Sequence, residues 1–206
     1  MANLSLQQKL KDRQIILASG SPRRQALLTD LGLPYRIELK PVEELFPDHL
    51  PPKEAAEYLA KLKANAFDHL KDSEILITGD TVVASDQVIL GKPKDKEEAI
   101  KMLELLSGRK HQVISSVFLK SNQKSCCFSA MTQVNFKSLT SVEIEFYVNT
   151  FKPFDKAGAY GIQEWIGQIG ITGIEGSYYT VLGLPVHLLY KNLLQFNKMY
   201  VILNKL

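Results

Sequence analysis

Short apolar runs alternate with polar, turn-rich segments along the whole chain, and the longest runs, such as "IILA" and "EILIT", are only a few residues. Residues 14–18, "QIILA", read as a short buried strand. Ser21 and Pro22 then supply the N-cap and first position of a helix over "RRQALLTDL", with Leu27, Leu28 and Leu31 on one face and Gly32 closing it. A second helix is expected over 52–70, with Ala55, Leu59, Leu62 and Ala66 as its apolar stripe and Lys61 and Lys63 beside it. The β-branched run "EILITGDTVV", 74–83, predicts a strand through the core that carries one carboxylate, Asp80. In "ASDQVILGKP" the pattern predicts a turn, a short returning strand and a break at Gly91 to Pro93, followed by a helix over 96–106.

Residues 111–120 and 125–137 form a hairpin pattern around "KSNQK", and Thr140 with Glu143 makes a capping box for a short helix ending near Asn149. From 152 to 185 glycine is dense and no regular element is assigned; the last helix begins near Pro185. No repeat, low-complexity tract or linker divides the chain, so 1–206 reads as one domain.

With 206 residues and 45% hydrophobic content, the chain can bury a substantial core, as one body or as two lobes sharing a cleft. Residues 1–13 are polar and lack a stretch of signal-peptide length, so a cytoplasmic location is expected. The net charge of +3 is slight and the lysines are spread among acids, which argues against a nucleic-acid binder or a membrane-surface protein. Cys126 and Cys127 are adjacent and read as structural, giving no disulfide framework or spaced-thiol metal site. His49, His69, His111 and His187 are scattered without a zinc-binding spacing.

Local charge must therefore carry any anion chemistry. Arg23 and Arg24 stand in the first turn of a helix, where the helix dipole disfavours cations, and this conflict points to an anion beside them. "SGSPRR" supplies small residues, backbone N–H groups and two permanent charges, although neither a P-loop nor GxGxxG occurs; a solvated arginine pair is the alternative. Asp80, within an apolar run, needs a cation, a metal or hydrogen-bond donors, unless it only ties down a turn. Lys92 either returns towards Asp80 by hairpin geometry or is an exposed turn lysine. Glu43 and Glu44 either add a carboxylate for a hard divalent cation or are solvated. Asp155, Lys156 and Gln163 lie where flexible backbone can approach a ligand, and a glutamine amide can read a base edge. Trp165 and the neighbouring tyrosines are assigned to the core.

The ordered segments "LASGSPRRQALLTDLG", "GDTVV", "GKP", "LSGRKHQV", "DKAGAYGIQ" and "GSYYTVLGLP" closely resemble the Maf family of nucleoside triphosphate pyrophosphatases, over about residues 14–196. The resemblance implies an elongated α/β fold with a mixed twisted sheet, flanking helices and two lobes around a deep cleft, related to the inosine triphosphate pyrophosphatase group. It implies hydrolysis between the α and β phosphates with a divalent metal, magnesium or manganese. By similarity, Asp80 is the proton acceptor, and Ser19, Arg23, Arg24, Glu44, Lys63 and Lys92 line the cleft. Lys63 and Lys92 are expected to act with Asp80 in catalysis, and Arg23 to touch the substrate more directly than Arg24. Asp80 either activates water or holds the metal; Glu44 is the second metal ligand, with Glu43 as the fallback.

Arg23, Thr81 and Gln163 resemble the dTTP and UTP branch of that family. The 7-methyl-GTP branch commonly carries an extra bulky residue before the arginines and a glutamine after the aspartate, and this chain has neither. A housecleaning enzyme that takes pyrimidine nucleotides, modified ones included, is the expectation; a nucleotide-binding regulator of cell division or septum formation is the competing one. Gly79 departs from the alanine common before the aspartate, and "PVEELFPDHL" is less familiar around the acidic pair. The tail "NKMYVILNKL" either extends the last helix or contributes to a homodimer contact.

Overall fold

Among the described residues seven strands join in one mixed sheet, in the spatial order β2 (Tyr35–Ile37), β1 (Gln14–Leu17), β3 (Glu74–Ser85), β5 (Lys110–Lys120), β6 (Ser125–Phe136) and β7 (Ile171–Glu175), with β4 (Val88–Leu90) paired to β3. The computed structural model describes residues 5–86 and 88–203, with side chains as far as 196. In the first part of the chain, β1 (Gln14–Leu17), α2 (Pro22–Asp30), β2 (Tyr35–Ile37), α3 (Pro52–Asn65) and β3 (Glu74–Ser85) follow α1 (Leu6–Lys9). Here β1 lies parallel to both β2 and β3, an arrangement that requires crossover connections, which α2 and α3 supply. The remaining strands, β4 (Val88–Leu90), β5 (Lys110–Lys120), β6 (Ser125–Phe136) and β7 (Ile171–Glu175), pair antiparallel with their neighbours. Helices α4 (Lys96–Leu106), α5 (Ser141–Phe151), α6 (Trp165–Gly170), α7 (Tyr178–Leu182) and α8 (Val186–Leu203) complete the fold.

The long strand β3 positions the site. One of its edges pairs with β5 from Leu76 to Ala84. The other edge pairs with β1 only at residues 74–77 and with β4 only at 83–85, leaving 78–82 open on that side. Two apolar clusters lie on either side of this gap. Ile75 and Ile77 pack with Leu27, Leu28 and Leu189, whereas Val83 packs with Leu103, Leu106 and Tyr147. A third cluster, beneath α3, joins Ala60, Ala64 and Phe67 to Leu76. The open stretch of β3 lies between the first two clusters.

Helix α3 stops at Asn65, short of the expected 70, and its buried face is Ala55, Ala56, Leu59, Ala60 and Ala64, with Leu62 and Ala66 only half-buried. The cause lies on β5: Lys120 Nζ donates to the carbonyls of Ala64 (3.3 Å) and Phe67 (2.6 Å), capping the helix end while Phe67 and Leu70 turn into the core. The sequence pattern also missed α1, where Ser5 and Gln8 form a capping box that seats Leu6 in the core, and β2, α6, β7 and α7. The capping box of α5 has both expected hydrogen bonds, and the helix runs two residues beyond Asn149. The backbone of α8 continues to Leu203; the dimer contact expected of the tail concerns side chains outside the described ones. Among the described residues no helix is long and apolar enough to cross a membrane.

Candidate active site

A cleft of about 890 Å³ opens along the free edge of β3, where β1 ends and α2 begins. Crevices at the carboxyl ends of parallel strands are favoured ligand sites, because helix N-termini converge on them. Ser21 caps α2 by accepting from the Arg24 backbone N–H at 3.5 Å, with Pro22 in the first turn, as the sequence predicts. This start turns both arginine side chains towards the cleft.

Arg24 is locked in place. Its Nε donates to the Gly183 carbonyl (2.8 Å), Nη1 to Ser19 Oγ (3.3 Å) and Nη2 to Thr81 Oγ1 (3.0 Å). Three of its five N–H groups are thus held by protein acceptors, and two remain for a ligand. Burial pushes its pKa down, the Asp80 charge opposes that shift and Arg23 adds to it. Gly79 leaves room here: a Cβ at that position would lie 2.7 Å from the Ser116 carbonyl oxygen and 3.8 Å from Arg24 Nε.

Strand alternation sends Asp80 to the opposite face from Thr81, towards α3, together with Leu76 and Val82. Asp80 is 8% exposed, and its Oδ1 accepts from Lys63 Nζ at 2.7 Å. The same ammonium lies 2.9 Å from Glu44 Oε2, so one lysine joins both carboxylates. Thr78 Oγ1 donates to the Ala60 carbonyl at 2.6 Å, clamping α3 to β3 one turn before Lys63. Burial works to raise the pKa of Glu44, but the hydrogen bond and charge of Lys63, with Lys92 and Arg24, outweigh it and hold the carboxyl below its ordinary value. Lys92 is exposed on the cleft wall, with no hydrogen bond to Asp80 among the described residues. Glu43 is exposed and takes no part in the lining.

The far wall comes from the glycine-dense segment. Asp155 Oδ2 accepts from Arg23 Nη1 at 2.9 Å, and Asp155 Oδ1 from Lys156 Nζ at 2.6 Å. Burial works to raise the Asp155 pKa, and these two hydrogen bonds and charges outweigh it. Gln163 lines the cleft on this side. Trp165 packs partly buried against the core and edge-on to Phe146, and Tyr160 is buried, as expected. Tyr178 and Tyr179 instead remain exposed, outside the core. Cys126 and Cys127 are free thiols whose pKa burial pushes up, to about 11 for Cys127, in keeping with an unreactive role.

Apart from the fallback Glu43, the sequence-predicted site residues therefore line one cleft: Ser19, Arg23, Arg24, Glu44, Lys63, Asp80, Thr81, Lys92 and Gln163. Sequence reasoning missed the partners that hold them. The Gly183 carbonyl, Ser115 and the Glu164 carboxylate are brought in by tertiary contact, and no local spacing announces them.

Six lysines and arginines face three carboxylates along the lining. Such an excess of positive charge around a cleft into which a helix start opens marks an α/β protein with an anion-binding site. Residues 14–196 match the family described as Maf-like protein, and the chain belongs to that family. It is 52% identical over 189 residues to a dTTP/UTP pyrophosphatase of Christiangramia forsetii, covering 91% of this chain and 96% of that one. It is 50% identical over 190 residues to a dTTP/UTP pyrophosphatase of Flavobacterium psychrophilum, covering 92% and 97%. Among solved structures, a HAM1 protein from Coxiella burnetii aligns with a TM-score of 0.47 at 18% identity, covering 89% of this chain and 99% of that one.

Proposed function

We infer that the chain hydrolyses dTTP and UTP, and modified pyrimidine nucleotides of the same shape, to the monophosphate and pyrophosphate, as a cytoplasmic housecleaning enzyme. The observation that carries this reading is the Asp80–Lys63–Glu44 cluster, which shares one cleft with the locked guanidinium of Arg24 and the amide of Gln163. The relatives named dTTP/UTP pyrophosphatase support it over nearly their whole length.

The phosphates bind to Arg23, to the two remaining N–H groups of Arg24, to the start of α2 and to the ammonium groups of Lys63 and Lys92. Lys63 fixes one oxygen of Asp80, leaving the other to accept a proton from water. The water oxygen bonds to the α phosphorus in line with the bridging oxygen. The bond to that oxygen breaks, and pyrophosphate leaves with the electron pair. Gln163 offers one donor and one acceptor to a pyrimidine edge. Thr81, which the resemblance makes a specificity residue, acts here through Arg24, whose Nη2 it accepts while sharing a hydrogen bond with Ser115 Oγ.

Asp80 and Glu44 fit a divalent cation. Both present carboxylate oxygens that converge on one ammonium, and no larger group of potential ligands exists among the described residues. A magnesium or manganese site with two protein carboxylates, completed by phosphate oxygens and water, is the usual form for nucleotide enzymes. When bound, the ion would neutralise phosphate charge and acidify a coordinated water.

The test is release of pyrophosphate and monophosphate from dTTP, UTP, CTP and 7-methyl-GTP with magnesium or manganese, comparing wild type with Asp80→Asn. Release from dTTP and UTP that collapses in the variant is expected. Preference for 7-methyl-GTP would overturn the choice of base, and binding without turnover would overturn the enzymatic reading.

A further inference from the structure

Behind the base-reading wall runs a chain of hydrogen bonds, joined at one link by an ion pair, that begins in the core and ends at a substrate-facing arginine. It starts at Tyr147 of α5, which has no solvent exposure and stacks on Phe151 with ring centroids 5.1 Å apart. Its hydroxyl accepts from the Gly161 backbone N–H at 3.0 Å and donates to Glu164 Oε2. Burial and the Glu164 carboxylate push the Tyr147 pKa up, so the phenol keeps its proton and serves as the donor. Glu164 Oε1 pairs with Lys156 Nζ at 3.1 Å, and Lys156, 8% exposed, passes the chain to Asp155 and so to Arg23.

A second observation shows how tightly this chain grips the turn that carries Gln163. The Glu164 backbone N–H donates to the Gly161 carbonyl at 3.0 Å, closing 161–164 into one turn. A Cβ on Gly161 would lie 2.8 Å from Glu164 Cδ and 3.1 Å from Gln163 Oε1, so the carboxylate folds over the glycine and the Gln163 amide rests against it. Lys156, flanked by Asp155 and Glu164, is already neutralised by protein. Its position links two carboxylates rather than offering a free charge to phosphate.

We propose that Tyr147, Glu164 and Lys156 are positioning residues that set the Gln163 amide and the Arg23 guanidinium in one register, and so determine which base the cleft accepts. The proposal rests on the pyrophosphatase reading of the same cleft. Tyr147 and Glu164 lie outside the cleft lining and act through Gln163 and Arg23.

The experiment measures kcat and KM for dTTP and dCTP, with thermal melting, in full-length wild type, Tyr147→Phe and Glu164→Gln. Tyr147→Phe keeps the buried ring and removes only the hydroxyl. Losing both hydrogen bonds of that hydroxyl from the clamp should raise KM for dTTP about three- to tenfold, with kcat changed less than about twofold. The dTTP-to-dCTP ratio of kcat/KM should fall by a similar factor. Glu164→Gln, which still accepts from Tyr147 but no longer balances Lys156, should move the same ratio in the same direction. A cooperatively melting Tyr147→Phe with wild-type KM and base ratio would overturn the proposal. So would a uniform fall in kcat for both nucleotides at unchanged KM, the mark of a purely structural role. If Tyr147→Phe does not melt cooperatively, Glu164→Gln, whose side chain is 18% exposed, decides by the same readouts. Absence of turnover by wild type would sink the pyrophosphatase reading alone, and the base ratio is then read from dissociation constants.

Discussion

The two walls of the cleft are built by different means. On one wall, the regular elements β3 and α3 present Asp80 and Lys63, and their packing is complete without the charged tips. On the other, residues 152–185 carry only short elements, and individual hydrogen bonds and close glycine contacts hold Asp155, Lys156 and Gln163 in place. Chemistry and stability should therefore separate on the first wall and travel together on the second.

The sharpest test of the first wall is Asp80→Asn. The amide keeps the shape and an acceptor for Lys63 but cannot take a proton at neutral pH. A fall in kcat for dTTP of about 10³-fold is expected, within the range for loss of a general base, with melting close to wild type. A large drop in melting temperature alongside would break the comparison. Lys63→Met is expected to lower kcat about 30- to 100-fold by freeing both carboxylates. Because the Lys63 ammonium holds the Glu44 pKa down, its removal raises that pKa, and the acid limb of the pH–rate profile should move to higher pH. An unmoved acid limb would show that Glu44 does not shape the profile.

On the second wall, Gly158→Ala should cost stability before it costs chemistry. Gly158 has φ +68°, and a Cβ there would sit 2.9 Å from Cγ1 of the buried Val83. The left-handed backbone costs a non-glycine residue about 1–2 kcal/mol, and crowding a packed core adds to that. A loss of about 2–3 kcal/mol in denaturant unfolding is expected, with KM for dTTP rising in the folded fraction. Unchanged stability would mean that this wall yields more readily than its contacts imply.

The same division explains what could be read from the sequence. Capping residues and periodicity marked α2, α4 and α5, and β-branched runs marked β3, β5 and β6, because those signals are local. The end of α3 depended on Lys120 of a distant strand. Strand β7 depended on pairing with β6, and its "ITGIE" carries too little local signal. In the site, the residue types of "SGSPRR" announced an anion site, and the aspartate of "GDT" announced a carboxylate in need of a partner. Which arginine would be the more restrained was not legible, since Arg24 is fixed by a carbonyl 159 positions away and Arg23 by a carboxylate 132 positions away.

His111 offers the smallest and most selective probe of the second wall. It is 2% exposed beneath Tyr160, with Nε2 in a 2.7 Å hydrogen bond to the tyrosine hydroxyl and its ring edge-on to Phe136 and Tyr160. Burial lowers its pKa from 6.5 to about 4, so the folded protein keeps the imidazole neutral where the unfolded chain has already bound a proton. This contribution favours folding in full above pH 6.5 and is lost as the pH falls towards about 4. At about 1.4 kcal/mol per pH unit, wild type should lose about 2 kcal/mol from this group between pH 6.5 and 5. His111→Phe cannot take up that proton. Its stability at pH 7 should be lower, because the Tyr160 hydroxyl loses its partner, yet its decline between pH 6.5 and 5 should be shallower by that amount. Denaturant unfolding of both proteins at several pH values checks this, and parallel curves would place the charging of His111 outside the energetics of the wall.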